Sequence, residues 1–116
     1  MAEAEWHPYE DGASLGETGS EQGRIVADEE HRGGARITLE EVHRGPLQCA
    51  ITCGLYGWFV HTRYGRSLEE GWRDFEAMKG ELGRIVDLLW IDGKAPEQAR
   101  HAVFEAIGAF VDRFPT

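Results

Sequence analysis

Residues 24–40 read RIVADEEHRGGARITLE, and this stretch decides the fold class. A Gly-Gly pair at 33–34 divides this stretch into two segments. In the second segment apolar and polar residues alternate, which is the pattern of a half-buried strand. The glycine pair itself is a hairpin signal. A three-residue turn at 32–34 would pair His31 with Ala35 and place odd-numbered residues of both strands on one face. We therefore predict an antiparallel hairpin.

The chain continues the same sheet after a break at residues 44–46, Arg-Gly-Pro. Residues 47–64 are the most apolar part of the protein, and their length exceeds that of an ordinary strand. Gly54 and Gly57 indicate either a tight turn between two strands or a bend in one long strand. We favour the hairpin.

The pairing registers of these strands agree with one another. If His43 pairs with Leu47, then Leu39 lies opposite Ile51, and directly opposed residues share a face. Odd-numbered positions then form one apolar surface. Even-numbered positions form a polar one, with Asp28, Glu30, Arg36, Thr38, Glu40, Gln48 and Thr52. The pattern predicts an antiparallel meander of three or four strands with one face in water.

Two helices are predicted after the sheet. Residues 67–70, Ser-Leu-Glu-Glu, form a capping box. Apolar residues recur at helical spacing over 68–89 and again over 99–114, with Pro96 suited to the first turn of the second helix. Two helices laid on the apolar face of the sheet give a single two-layer α+β domain over residues 24–116.

Residues 1–23 are predicted to be an acidic, glycine-rich arm. Residues 1–30 contain nine acidic residues and one basic residue, and the rest of the chain contains twelve and eleven, so the net charge of −9 belongs mainly to the N-terminal part. Trp6 and Tyr9 are large aromatic residues in this polar setting. Such residues favour packing of the arm onto its own domain or onto a partner.

Composition and spacing exclude several function classes. The chain lacks the concentrated basic surface that binds nucleic acid. It also lacks an apolar run long enough for a membrane span and the features of a secretory signal, so we expect a cytoplasmic protein. Cys49 and Cys53 would lie about 13 Å apart on a strand, too far for a disulfide, and they lack the paired spacing of a zinc site. No resident cofactor is predicted.

The run from residue 28 to residue 31, Asp-Glu-Glu-His, is the first candidate site. Glu29 and His31 would point to the apolar face, where they could form an acid–base pair, with His61 as an alternative acid. Asp28 and Glu30 would point to the polar face and could bind a divalent cation. The alternative is a solvated edge strand whose acidic residues oppose aggregation.

Aromatic residues on the even-numbered face form a second candidate site. They would be exposed unless the arm, a second subunit or a planar ligand covers them. The residues are Tyr56, Trp58 and Tyr64. Nearby, Arg63 and His61 could orient an anionic ligand, or they could serve as an ordinary charge and a satisfied histidine at a strand end.

Three functions remain open from the sequence. The first is a non-catalytic association or regulatory module that acts through the sheet face or edge, as a homodimer or with a protein partner. The second is a small enzyme in which Glu29 and either His31 or His61 exchange a proton. The third is a small-ligand or divalent-metal binding module that uses Asp28 and Glu30. The spare aromatic face, the segregated charge and the lack of a recognised catalytic motif favour the first.

Overall fold

The computed structural model describes residues 5–89 and 96–116. These residues form one antiparallel sheet whose strands follow their order in the sequence, and two α-helices. The elements are β1 (Trp6–Pro8), β2 (Arg24–His31), β3 (Ala35–Arg44), β4 (Leu47–Leu55), β5 (Phe59–Gly65), α1 (Leu68–Leu89) and α2 (Pro96–Arg113). The predicted α+β class is confirmed. No helix within the described ranges is long and apolar enough to cross a bilayer.

The sheet has five strands, so the prediction of three or four was too low. The additional strand is β1, in which Trp6 pairs with His31 and Pro8 with Glu29. A strand of three residues is too short to show a period of two, and the sequence pattern therefore carried no signal for it. Residues 47–64 form a hairpin, because residues 56–58 make a turn between β4 and β5.

The central part of the sheet has the predicted register. Ala27 lies opposite Leu39, and Leu39 lies opposite Ile51. Ile37 lies opposite Cys53, as the same register between β3 and β4 requires. The odd-numbered side chains of these strands therefore form one continuous apolar face.

The register shifts at two irregular positions. Between Ile25 and Ala27 a shift places Ile25 opposite Glu40, which moves Ile25 from the predicted odd-numbered face to the even-numbered one. A second shift follows Glu41, so that Arg44 pairs with Leu47, where the sequence predicted His43. Both shifts lie at the same end of the sheet.

The two helices pack on the odd-numbered face and complete the core. Phe75, Met78 and Leu82 of α1 are fully buried, as is Val103 of α2. At the start of α1 the Glu70 amide donates to the Ser67 hydroxyl at 3.0 Å, the bond expected of the capping box. The opposite, even-numbered face carries no α-helix in the described chain, and it is called the outer face below.

Residues 9–23 turn back across part of the outer face. The Gly16 amide donates to the Ile25 carbonyl at 2.9 Å, and the Ile25 amide donates to the Glu17 carbonyl at 2.9 Å. A further bridge joins Thr18 to Arg24. Because these bonds link the arm to β2, its position on the sheet is fixed by backbone pairing as well as by side chains.

Candidate functional site

Asp28 lies on the outer face beneath the arm, and its side chain is fully buried. Its Oδ1 accepts from Arg36 Nε at 3.0 Å and from the Thr38 hydroxyl at 3.0 Å. Its Oδ2 accepts from Arg36 Nη2 at 2.7 Å and from the Ser14 hydroxyl at 2.8 Å. The bond to Asp28 raises the pKa of Arg36, which stays charged. Four donors thus occupy the oxygens that a cation would need.

Glu30, the second predicted metal ligand, is also engaged by protein groups. The Tyr56 hydroxyl donates to Glu30 Oε2 at 2.6 Å, and His7 Nε2 lies 3.6 Å from Glu30 Oε1. Burial, followed by the bond to Glu30, raises the pKa of Tyr56. Among the described residues no group of three or more His, Cys, Asp and Glu side chains is arranged to hold a metal ion. The arrangement therefore gives the metal hypothesis no support.

Glu29 and His31, the predicted acid–base pair, both point toward the helices, but each has its own partner. Lys79 Nζ lies 3.2 Å from Glu29 Oε1. His31 is buried, its Nδ1 accepts from the Gly33 amide at 2.9 Å, and its ring packs edge-on against Trp6 at 5.0 Å. Burial lowers the pKa of His31, which favours the neutral imidazole at pH 7.

His61 and Arg63 lie on β5, at the other side of the sheet from Glu29. His61 Nε2 is 2.5 Å from the Phe114 carbonyl. Arg63 donates to Asp74 at 3.1 Å and to the Pro115 carbonyl at 2.8 Å. Since β2 and β5 are three strand spacings apart, about 14 Å, the structure does not bring Glu29 and His61 together.

The three aromatic residues predicted to share one face occupy three different places. Tyr56 stays on the outer face beside Glu30. The Tyr64 hydroxyl donates to Glu21, which raises the pKa of Tyr64. Trp58 lies in the β4–β5 turn and packs against Phe104 of α2, with ring centroids 5.3 Å apart. Tyr9 stacks on the Arg36 guanidinium at 3.5 Å, so this aromatic residue of the arm covers Arg36 and not Tyr56, Trp58 or Tyr64.

Glu40 is the residue that sequence reasoning missed. Its side chain is fully buried on the outer face and accepts from the amides of Gly23 at 3.0 Å and Glu21 at 3.1 Å. A Cβ added at Gly19 would lie 2.3 Å from its carboxyl carbon, so only glycine allows the arm to approach so closely. Burial raises the pKa of Glu40. In the sequence it was one of several even-numbered polar residues, with nothing to mark it as buried.

The arm leaves part of the outer face open as a cavity of about 660 Å³. Its floor includes Thr38, Thr52 and Gly54, and its rim includes Tyr56 and Val60. Val60 is 79% exposed, which is unusual for a valine on a strand. The cavity reaches β5, the last strand of the sheet.

The edge of β5 has no partner strand within the described chain. The Tyr56 amide donates to the Gly34 carbonyl at 2.9 Å, so even-numbered residues of β4 bond toward β3 and odd-numbered ones toward β5. On β5 the backbone groups of Val60, Thr62 and Tyr64 therefore point outward. No hydrogen bond from another described element reaches them.

The side of α2 next to this edge is mainly apolar, with the Arg100 guanidinium 5.8 Å from the centroid of the Phe104 ring. Val103 and Phe110 of α2 are buried, and Arg113 reaches α1 through Glu81. The helical turn then places Phe104, Ile107 and Val111 on the side opposite α1, and Phe104 is 53% exposed. The free edge of β5 and the residues Val60, Trp58, Phe104, Ile107 and Val111 are called the β5 flank below.

Compared with protein-family models, with curated proteins and with solved structures, the chain matches none. Function is therefore inferred from the residues and geometry of the chain itself.

Proposed function

We propose that the protein is a non-catalytic association module that binds a protein partner through the β5 flank. The observation that carries the proposal is the continuity of an unpaired strand edge with an apolar helix side. Outward backbone groups of an edge strand can pair with another strand, and exposed apolar residues beside them add buried area.

The composition of β5 supports this use of the edge. Natural edge strands avoid pairing by means of proline, lysine, bulges or charged residues that point toward the core, and of these devices β5 carries Arg63, whose charge is paired with Asp74. The seven residues Phe59–Gly65 contain no proline and no lysine, and β5 pairs with β4 without a register shift. Arg63 is the charged residue of the strand, and it is held on the helix side by Asp74. The edge is thus regular and open to a further strand.

The contacts of the predicted catalytic residues support association over catalysis. Glu29 is paired with Lys79, and His31 is packed against Trp6. His61 anchors the end of α2 through the Phe114 carbonyl. Each group therefore stabilises the fold, and the described geometry aligns no pair of them for proton transfer.

A charge placed in the β5 flank is the test of this proposal. Val60→Asp should lower the affinity of the association at least about tenfold, because a carboxylate would be buried without a partner in the interface. The measurement is the native mass of gently purified complexes. Leu15→Asp is the matched control, since Leu15 is also an exposed apolar residue, at 51%, but lies in the arm. Equal masses for the wild type and both variants would contradict the proposal.

A small-ligand module is the second candidate, and the cavity on the outer face supports it. Its volume of about 660 Å³ falls within the range of small-molecule sites. Arg36, which Asp28 engages through Nε and Nη2, also lines the cavity and is the cation there that could attract a ligand carboxylate. The same native mass measurement reports on this candidate, because a bound ligand would add its own mass to the chain.

A further inference from the structure

We infer that the partner of the β5 flank is a second copy of this chain, with the two β5 strands paired antiparallel about a twofold axis at Thr62. The inference rests on the proposed function and names its partner. The product would be one continuous sheet across both copies, with all four helices on the same side.

The free edge is self-complementary in its hydrogen-bonding groups. Val60, Thr62 and Tyr64 present outward backbone groups at equal spacing on either side of Thr62. With the axis at Thr62, this residue faces its own copy, and Val60 faces Tyr64 of the second copy. All three facing pairs are then hydrogen-bonded pairs, so every outward amide and carbonyl finds a partner.

The side chains are compatible with the same register. On the outer face Val60 would pack beside the Tyr64 ring of the second copy, and the two Thr62 hydroxyls would lie side by side, both favourable cross-strand combinations. On the helix side His61 would face Arg63. Arg63 already pairs with Asp74 at 3.1 Å within its own chain, so no unpaired like charges meet there.

The apolar side of α2 extends the same interface into the helix layer. Phe104, Ile107 and Val111 lie on the side of α2 away from α1, where the Arg100 guanidinium also lies over the Phe104 ring. Joining the sheets at β5 would bring the two α2 helices next to each other beneath the joint. A twofold axis makes each apolar stripe its own partner, as an isologous interface requires.

The charge distribution favours this edge over the opposite one. Of the nine acidic residues among residues 1–30, Asp28, Glu29 and Glu30 lie on β2, whereas Glu21 of the arm reaches Tyr64 of β5 and is paired there with Arg44. Pairing through β5 separates the two β2 strands by seven strand spacings, about 33 Å. This is several times the screening length of about 8 Å at physiological ionic strength. Self-pairing through β1 would instead bring the two acidic regions together, over an edge of three residues.

Site-specific disulfide formation tests both the partner and the register. With the axis at Thr62, the Cα atoms of the two copies of residue 62 lie about 5.5 Å apart, within disulfide range. The two copies of residue 60 lie about 14 Å apart, outside that range. Under mild oxidation Thr62→Cys should form a covalent dimer, and the matched control Val60→Cys should form at least about tenfold less. Cys49 and Cys53 are buried and do not compete.

The outcomes separate this inference from the proposed function. A wild-type dimer by light scattering together with cross-linking of Thr62→Cys, but not of Val60→Cys, supports the inference. A dimer that cross-links equally through both positions, or through neither, overturns the register at Thr62. A monomeric wild type overturns the inference as a whole. The proposed function then stands or falls separately, on whether Val60→Asp removes a different protein from the native complex.

Discussion

At the scale of single residues, Glu40 shows how a charged side chain can hold a segment in place. Its buried carboxylate accepts hydrogen bonds from the amides of Gly23 and Glu21, which lower its pKa. The loss of solvation on burial has the larger effect, so the pKa of Glu40 is raised. Because the folded-state pKa lies above the unfolded value, the folded protein binds the proton more tightly. This residue therefore makes stability fall as pH rises from the ordinary glutamate range through the raised value.

Replacing Glu40 separates its charge from its hydrogen bonds. Glu40→Gln keeps the Oε1 acceptor of both amides and removes the charge, so the fall in melting temperature with rising pH should flatten. Glu40→Ala removes the acceptor and should cost about 2–4 kcal/mol, because two amides lose their partner. Denaturant unfolding at several pH values measures both effects. A Gln variant with the wild-type pH slope would contradict this account.

At the scale of elements, the close packing of α1 on the sheet depends on the position of its glycines. A Cβ added at Gly71 would lie 2.7 Å from Cys49 Sγ and 3.1 Å from Leu39 Cδ1, whereas at Gly80 it would meet nothing within 4 Å. Gly71→Ala should therefore cost about 1–3 kcal/mol through overpacking.

Gly80→Ala is the matched control, and it should stabilise by up to about 1 kcal/mol, because alanine is the better helix former. Chemical denaturation of both variants measures the difference. Equal effects of the two substitutions would show that α1 is not seated against β3 and β4 as closely as Gly71 indicates.

The free edge of β5 predicts an alternating pattern of amide exchange. The amides of His61 and Arg63 bond to β4, so they should exchange slowly in any folded form. The amides of Val60, Thr62 and Tyr64 point outward and should be protected only when the flank is occupied. Hydrogen exchange followed by NMR, at high protein concentration and after dilution, measures the difference. Outward amides that remain protected in a dilute monomer would show that the edge is already covered.

At the scale of the whole molecule, the acidic β1–β2 side of the sheet lies opposite the β5 flank, and the arm crosses between them to place Glu21 beside Tyr64 and Arg44. The N-terminal arm and β2 carry most of the net charge of −9. The β5 flank is mainly apolar: Arg63 beside it is paired with Asp74, and Arg100 lies over the Phe104 ring. Such a distribution keeps the molecules apart at one side and leaves the other side available for contact.

The sequence by itself determined the central hairpins, the register of their middle residues and the two helices. These features follow from local patterns: a period of two around the glycine turns, a helical period after Ser67, and turn residues between them. The pairing of Leu39 with Ile51 could be deduced because only this register puts the apolar residues of both strands on one face, although the turn itself pairs Arg44 and not His43 with Leu47.

Tertiary structure alone decided the course of the arm and the surroundings of the candidate site. It added β1, buried Asp28 and Glu40, turned Trp58 toward Phe104, and left β5 as the open edge. These outcomes depend on contacts between residues far apart in the chain, such as Glu40 with Gly23. A local period cannot encode them, because an even-numbered polar residue has the same pattern whether water or the arm covers it.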